Sequence, residues 1–376
     1  MKVLLDATAV PANRGGVGRY VDALVPALAT LGVEVVVACQ QGDETFDALG
    51  PAVRAVPVRG VGSAARRMAW EQAGLPQMVR RHRPDVLHSP HYTMPLAAGV
   101  PTAVTLHDAT FFSHPQLHLP VKARFFRTAT HLALARADAL VVPSQATESE
   151  VQRFGRRSRA PFFVAPHGVD HERFHPTSVA DSRAAAERAG VRAPTYVFFL
   201  GTLEPRKNVP ALIRAWVRTF AGRPDAPALV LAGARGWDEG VERAAAAVPE
   251  SLELVRAGYL PLEDLPAMLS GASVVAYPSI GEGFGLPVLE AMACGATVLT
   301  TRELSLAEVG GNAVAYCETS EESIAARLGE LMADADERAA LSTSAAARAA
   351  DFTWRRAAEV HVKAYEAALH GAEGRA

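Results

Sequence analysis

Residues 276–295 read AYPSIGEGFGLPVLEAMACG, from Ala276 to Gly295. The run leading into them, Ser273-Val274-Val275, is short and β-branched, which predicts a buried strand ending at Pro278. Gly281, Gly283 and Gly285 then punctuate a loop that carries Glu282. From Leu286 to Ala293 the apolar spacing is that of a helix, with Pro287 suited to its first turn. A flexible loop feeding a helix N-terminus offers backbone N–H groups and the positive end of a dipole, which suits phosphate. Glu282 in the loop and Glu290 one turn into the helix would repel phosphate, so neutral hydroxyls are their natural partners. Amides for a diphosphate beside carboxylates for sugar hydroxyls describe a nucleotide-sugar pocket. The alternative is a buried turn with two solvated acids.

Outward from this stretch, strand and helix signals alternate along the whole chain, as expected for parallel sheets covered by helices. Lys2 to Leu5 is strand-like, and the Gly-rich turn Asn13 to Tyr20 (NRGGVGRY) precedes a helix through Ala29. That turn lacks the third glycine of the dinucleotide fingerprint. Val33 to Cys39 is the next strand, and Val100 to Leu106 delivers His107 and Asp108 to a strand's C-terminal end, the edge where open α/β sheets bind ligands. In the second half Tyr196 to Gly201 is a buried strand, followed by Thr202 and the adjacent cations Arg206 and Lys207. A planar fork beside a point charge suits a diphosphate. Arg66 to Arg83 is basic and partly helical, carries Met68, Trp70 and Met78, and is interrupted by Pro76. It reads either as a solvated helix face or as a membrane-contacting one. The Ala-rich, polar segment 176–194 is where the domain boundary is expected.

At 376 residues and 49% hydrophobic, the chain is long enough for two ordinary domains. A net charge of −2 implies no global attraction to nucleic acid. Residues 1–176 nevertheless carry +5 and the remainder −7, which leaves room for an anionic partner on the first half only. Cys39, Cys294 and Cys317 show neither metal spacing nor an even framework and suggest a reducing compartment. MKVLLDATAV is read as a first strand rather than a signal peptide, because Asp6 interrupts its apolar run. No run reaches the roughly 18 apolar residues needed to span a bilayer, so the expected location is cytoplasmic, at most peripheral at the inner membrane face. His114 and His118 have a metal-ligand spacing for a helix, but Pro115 and Pro120 oppose a helix there. The Asp334-Ala335-Asp336 triplet lies in a polar segment and is read as solvated. Neither a metal nor a cofactor is expected.

The spacing of Glu282, seven residues and Glu290 within EGFGLPVLEAMACG, continued by the small residues Ala291, Ala293 and Gly295, resembles the donor-site signature of the retaining glycosyltransferases of family 4. The resemblance covers nearly the whole chain and is weakest over residues 40–80 and 320–350. It implies that Glu282 contacts the donor sugar, that Glu290 holds the ribose, and that Gly283, Phe284, Gly285 and Leu286 line the donor site. It implies that Gly16, in the GGxGRY-like turn, approaches the donor phosphate and the acceptor. His107, in TLHDATFF, would hydrogen-bond the donor sugar. In GTLEPRKN, Lys207 matches the family lysine, whereas Thr202 after Gly201 stands where the family usually has arginine, and Arg206 would compensate. The nucleotide base would lie against the loop holding Tyr259 and Leu260.

The implied fold is α/β of the GT-B type, two doubly wound Rossmann-like domains facing across a cleft. Residues 1–180 would bind acceptor, joined by a C-terminal helix over about 356–376, and residues 181–355 would bind the nucleotide-sugar donor. The implied reaction is retaining, metal-independent transfer of a sugar from a nucleotide diphosphate to a hydroxyl, with His107, Arg206, Lys207 and Glu282 as the catalytic set. Motif style points first to GDP-mannose and second to UDP-glucose or UDP-N-acetylglucosamine. The acceptor would be a glycan or lipid-linked molecule, with peripheral membrane contact through the first domain. Two rival classes are a GT-B enzyme of different chemistry, such as a phosphorylase or hydrolysing epimerase, and a non-catalytic nucleotide-sugar binder or purely structural partner.

Overall fold

The structure is a computed structural model that describes residues 1–10 and 14–373, with side chains through residue 371. The chain forms two compact units, one from Met1–Gly168 with Thr353–Ala376, the other from Val169–Phe352.

The first unit is built on seven parallel strands: β1 (Lys2–Asp6), β2 (Glu34–Gln40), β3 (Val53–Val58), β4 (Val86–Ser89), β5 (Thr102–Thr105), β6 (Ala139–Val142) and β7 (Phe162–Val164). They lie in the order β3-β2-β1-β4-β5-β6-β7. Continuous runs such as Val35-Val36-Val37 are buried on both faces, as helices on either side of a parallel sheet require. The order reverses between β1 and β4, so the crevice at their carboxyl ends is this sheet's ligand edge. The strand β3 is absent from the sequence reading. It is an edge strand, half-exposed and carrying Pro57, which only an edge tolerates.

The second unit has six parallel strands: β8 (Tyr196–Leu200), β9 (Ala228–Ala232), β10 (Leu254–Gly258), β11 (Val274–Tyr277), β12 (Val298–Thr300) and β13 (Ala315–Tyr316). Their order is β10-β9-β8-β11-β12-β13, with the switch between β8 and β11. The helix Leu286–Ala293 follows β11 with the bounds expected from its apolar spacing.

Two expectations are corrected. The expected boundary at 180/181 lies too late, because residues 169–180 belong to the second unit. Val169 and Phe174 join its apolar core, and the Thr177 amide donates to Ser270 Oγ at 3.2 Å. The return begins at Thr353, and Trp354 packs on the first unit's core ahead of the expected residue 356. The second correction is that the helix Ala64–His82 runs unbroken through Pro76. Its Ser63 cap and the burial of Leu75 and Val79 outweigh the lost backbone bond. Within it Trp70 and Met78 are partly buried against apolar clusters, while Met68 is exposed. No helix among the described residues is long and apolar enough to cross a membrane.

Candidate active site

The loop after β11 is held from below by three hydroxyls. Thr300 donates to the Tyr277 carbonyl at 2.8 Å, Thr301 to that of Ser279 at 2.7 Å, and Ser305 to that of Glu282 at 2.7 Å. Ser305 follows Leu304, whose φ of 50° is costly for a branched residue, so local strain is spent on placing that hydroxyl. Gly285 caps the helix Leu286–Ala293 with φ 99°, and a Cβ there would meet Leu306 at 2.8 Å. Glycine is required on both counts, and it brings no side-chain acceptor to compete for the first helical amides. Gly283 and Phe284 are buried in this loop, and Leu286 is partly so.

The chain after β8 makes a tight 3₁₀ turn, Pro205–Lys207, closed by Asn208 in the left-handed region at φ 58°. Asn208 is held there by its amide, which donates to the Thr319 carbonyl at 2.8 Å. The turn points Arg206 and Lys207 at Glu282. Lys207 donates to Glu282 Oε1 and to the Tyr277 hydroxyl, and Arg206 donates to Glu282 Oε2 and, at 2.9 Å, to Glu204. Tyr277 and Ser279 also donate to Oε1, at 3.0 and 2.8 Å. Burial alone would raise the Glu282 pKa, but Arg206, Lys207 and these hydrogen bonds prevail and hold it at about 2. Burial and the charge of Arg206 push Lys207 below the ordinary lysine value, against the pull of Glu282.

The cluster is therefore two cations and two carboxylates at the switch point of the second sheet, beside a helix N-terminus. Sequence reasoning paired the cations with phosphate and Glu282 with sugar. Here Glu282 is first the counter-ion of both cations, and Glu204, Tyr277 and Ser279 are members it missed. The available signal was Glu204, a carboxylate two residues before Arg206 in the loop after β8.

The remaining donor-site candidates fall around the same edge. Gly201 and Thr202 continue β8, and the Gly201 carbonyl lies so close to Gly233 that a Cβ on Gly233 would meet it at 2.2 Å. Glu290 is buried one turn into its helix, and its negative charge, after burial, helps push the Cys294 thiol up to about 12. Tyr259 stands 60% exposed just past β10, with Leu260 partly buried beside it. An exposed aromatic at a ligand edge is a flat surface for a base.

In the first unit, His107 follows β5. Its Nε2 lies 2.6 Å from the Pro90 carbonyl, which can only accept, so Nε2 carries the proton and Nδ1 holds the lone pair. Burial lowers its pKa to about 4, against the Pro90 bond and Asp108. His107 is thus a neutral imidazole that can accept from a hydroxyl. Gly16 opens the helix Gly16–Thr30, and a Cβ there would meet nothing within 4 Å. Asn13, in the same predicted turn, lies outside the described residues. His114 and His118 flank a 3₁₀ turn, and Asp334 caps the helix Ala335–Ala349, a structural role for that acidic triplet.

The chain is thus two doubly wound units, one of them carrying a compensated cation pair at the switch point, where such sheets take ligands. The chain belongs to glycosyltransferase family 4: residues 14–173 match the model described as Glycosyltransferase Family 4, and residues 185–348 that of Glycosyl transferases group 1. It is 29% identical over 306 residues to O-antigen chain mannosyltransferase B of Escherichia coli, covering 80% of this chain and 77% of that protein. It is 31% identical to a D-inositol 3-phosphate glycosyltransferase of Stackebrandtia nassauensis, covering 76% and 68%. Two Corynebacterium glycosyltransferases of the same name match over only 56% and 51% of their own length. Sucrose-phosphate synthase from Thermosynechococcus elongatus shares the fold, with TM-score 0.76, 19% identity and coverage of 97% and 98%. The fold is GT-B, and the protein is a glycosyltransferase.

Proposed function

We propose that this chain transfers mannose from GDP-mannose to a hydroxyl of a glycan or lipid-linked acceptor, with retention and without a metal. The observation that carries the reading is the buried Lys207–Glu282–Arg206 cluster beside the N-terminus of the helix Leu286–Ala293. Likeness to a mannosyltransferase supports the choice of sugar.

In this reading the bond from the anomeric carbon to the diphosphate oxygen breaks, and that oxygen keeps the electron pair. The acceptor oxygen bonds to the anomeric carbon on the same face, and its proton passes to the departing phosphate oxygen. Lys207 and Arg206, with the helix dipole, stabilise the charge gathering on the diphosphate. To do so they turn from Glu282, whose carboxylate is then open to donor-sugar hydroxyls. Glu290 takes ribose hydroxyls, and the Nδ1 lone pair of His107 accepts from a sugar hydroxyl. Fixed cations supply what a divalent metal would otherwise provide. A lipid-linked acceptor would place the protein at the inner membrane face, with Met68, Arg66, Arg80 and Arg81 as the exposed side chains of the basic helix.

The test is release of GDP from GDP-mannose by the protein alone, followed with and without chelator. The reading expects slow release in both, since water replaces the acceptor poorly. Release only from UDP-sugars would move the donor to UDP-glucose or UDP-N-acetylglucosamine. Loss of release on chelation would refute metal independence, and binding without any turnover would favour a non-catalytic binder.

A further inference from the structure

The first unit holds a buried polar chain that the proposed reaction does not use. Tyr365 Oη lies 2.9 Å from His88 Nδ1, and His88 Nε2 lies 2.8 Å from Thr105 Oγ1. Thr105 Oγ1 lies 2.9 Å from Tyr20 Oη, which is 2.7 Å from His361 Nε2. His361 Nδ1 is 2.7 Å from the Ala357 carbonyl. None of these five side chains is more than 1% exposed.

One group fixes the direction of every bond. The Ala357 carbonyl can only accept, so His361 Nδ1 carries the proton and Nε2 of the neutral ring must accept from Tyr20. The Tyr20 oxygen then accepts from Thr105, Thr105 accepts from His88 Nε2–H, and His88 Nδ1 accepts from Tyr365. The chain therefore has one proton arrangement, polarised from Tyr365 to Ala357. Both histidines are held neutral, burial lowering their pKa values, that of His361 to about 4.

The chain grips His107 from two sides. Thr105, its middle member, ends β5 two residues before His107. Tyr20, the next member, sets its ring edge-on to the His107 imidazole, with centroids 4.8 Å apart at 80°. A second route runs along stacked rings: Trp354 lies on His167 at 5.6 Å and 25°, and His167 is 5.8 Å from His107. Trp354, His361 and Tyr365 all come from the terminal helix Trp354–Glu373. An apolar core would hold that helix as well and without the demand that every polar atom be matched, but it would leave the helix free to shift along the sheet.

We propose that His361 and Tyr365 of the terminal helix are positioning residues for His107, acting through Tyr20 and Thr105. The inference rests on the reading of His107 as a group that meets the donor sugar. The experiment compares His361→Leu, His361→Gln and Tyr365→Phe in the full chain. It records the His107 ring nitrogens by NMR, GDP affinity, and kcat and KM for release from GDP-mannose. His361→Leu is expected to shift the His107 ring resonances, by displacing the Tyr20 ring set against the imidazole, and to lower kcat about ten- to a hundredfold, the cost of a misplaced contact. GDP affinity should stay unchanged. His361→Gln, whose side-chain oxygen can accept from Tyr20, should restore both readouts. Tyr365→Phe removes one hydroxyl from the end of the chain, keeps the testable case if His361→Leu does not fold, and should shift the His107 resonances in the same direction. Unaltered His107 resonances and kcat in folded His361→Leu, or unaltered resonances in Tyr365→Phe, overturn the proposal. If His107→Ala itself leaves kcat unchanged, the reading of His107 fails instead.

Discussion

The Lys207 ammonium lies against the Glu282 carboxylate, and each residue is only 6% exposed. Two full charges are thus held out of water, each made tolerable by the other and by the hydroxyls of Tyr277 and Ser279. Such a pair contributes little net stability, yet breaking it is expensive.

Glu282→Gln keeps the shape and removes the charge, leaving Lys207 and Arg206 without their shared anion. The second unit should lose about 3–5 kcal/mol, read as faster hydrogen exchange in β8 and β11. Glu282 titrates at about 2, below its ordinary value, so its contribution is complete above about pH 4.5 and disappears as pH falls through the folded value. Unchanged exchange in the Gln variant would mean that the pair is not closed in solution.

Lys207→Ala should lower turnover about a hundredfold or more, the loss of one preorganised contact to the leaving group. Steady-state rates against wild type measure it, and a drop of less than about threefold would remove Lys207 from the transition state.

Glu290→Ala should weaken binding of the nucleotide sugar and of the free nucleoside diphosphate together, because the ribose is common to both. Equal affinities by calorimetry would withdraw the ribose assignment.

The buried and partly buried histidines of the first unit predict acid sensitivity. Burial lowers His91 to about 3 and His107 and His361 to about 4, from 6.5. Between pH 6.5 and 4 the unfolded chain binds protons that the folded unit refuses, so stability is complete above 6.5 and falls on acidification. Each histidine can contribute up to about 1.4 kcal/mol per pH unit in that window. Thermal unfolding at pH 7 and pH 4.5 checks the sign, and a flat response would contradict the neutral assignment.

The second sheet was the more legible part of the chain. Its inner strands β8 and β9 are continuous apolar runs, and Leu286–Ala293 combines a proline start with helical spacing, so local signals and tertiary burial agree. Pro76 misled because sequence alone does not show that Leu75 and Val79 anchor the helix on both sides of it. The strand Val53–Val58 was missed because an exposed edge carries little apolar periodicity. Within the site, Glu282, Glu290, Lys207 and Arg206 were singled out from their motifs, and the structure brings Glu282, Lys207 and Arg206 into one cluster. The cation–carboxylate pairing itself was not legible, since β8 and β11 become neighbours only through the strand order. For the same reason the Tyr20–His361 bond, spanning 341 positions, leaves no local trace.

The most direct test of the account is thermal stabilisation of the protein by GDP, UDP, ADP and their common sugar conjugates, run in parallel on Lys207→Ala. A ligand at a hundredfold excess over its Kd stabilises by about 2.7 kcal/mol. The account predicts a selective upward shift of Tm with GDP and GDP-mannose that is reduced in Lys207→Ala. No shift with any nucleotide, or an equal shift in the variant, would contradict a donor site built on the Lys207–Glu282 cluster.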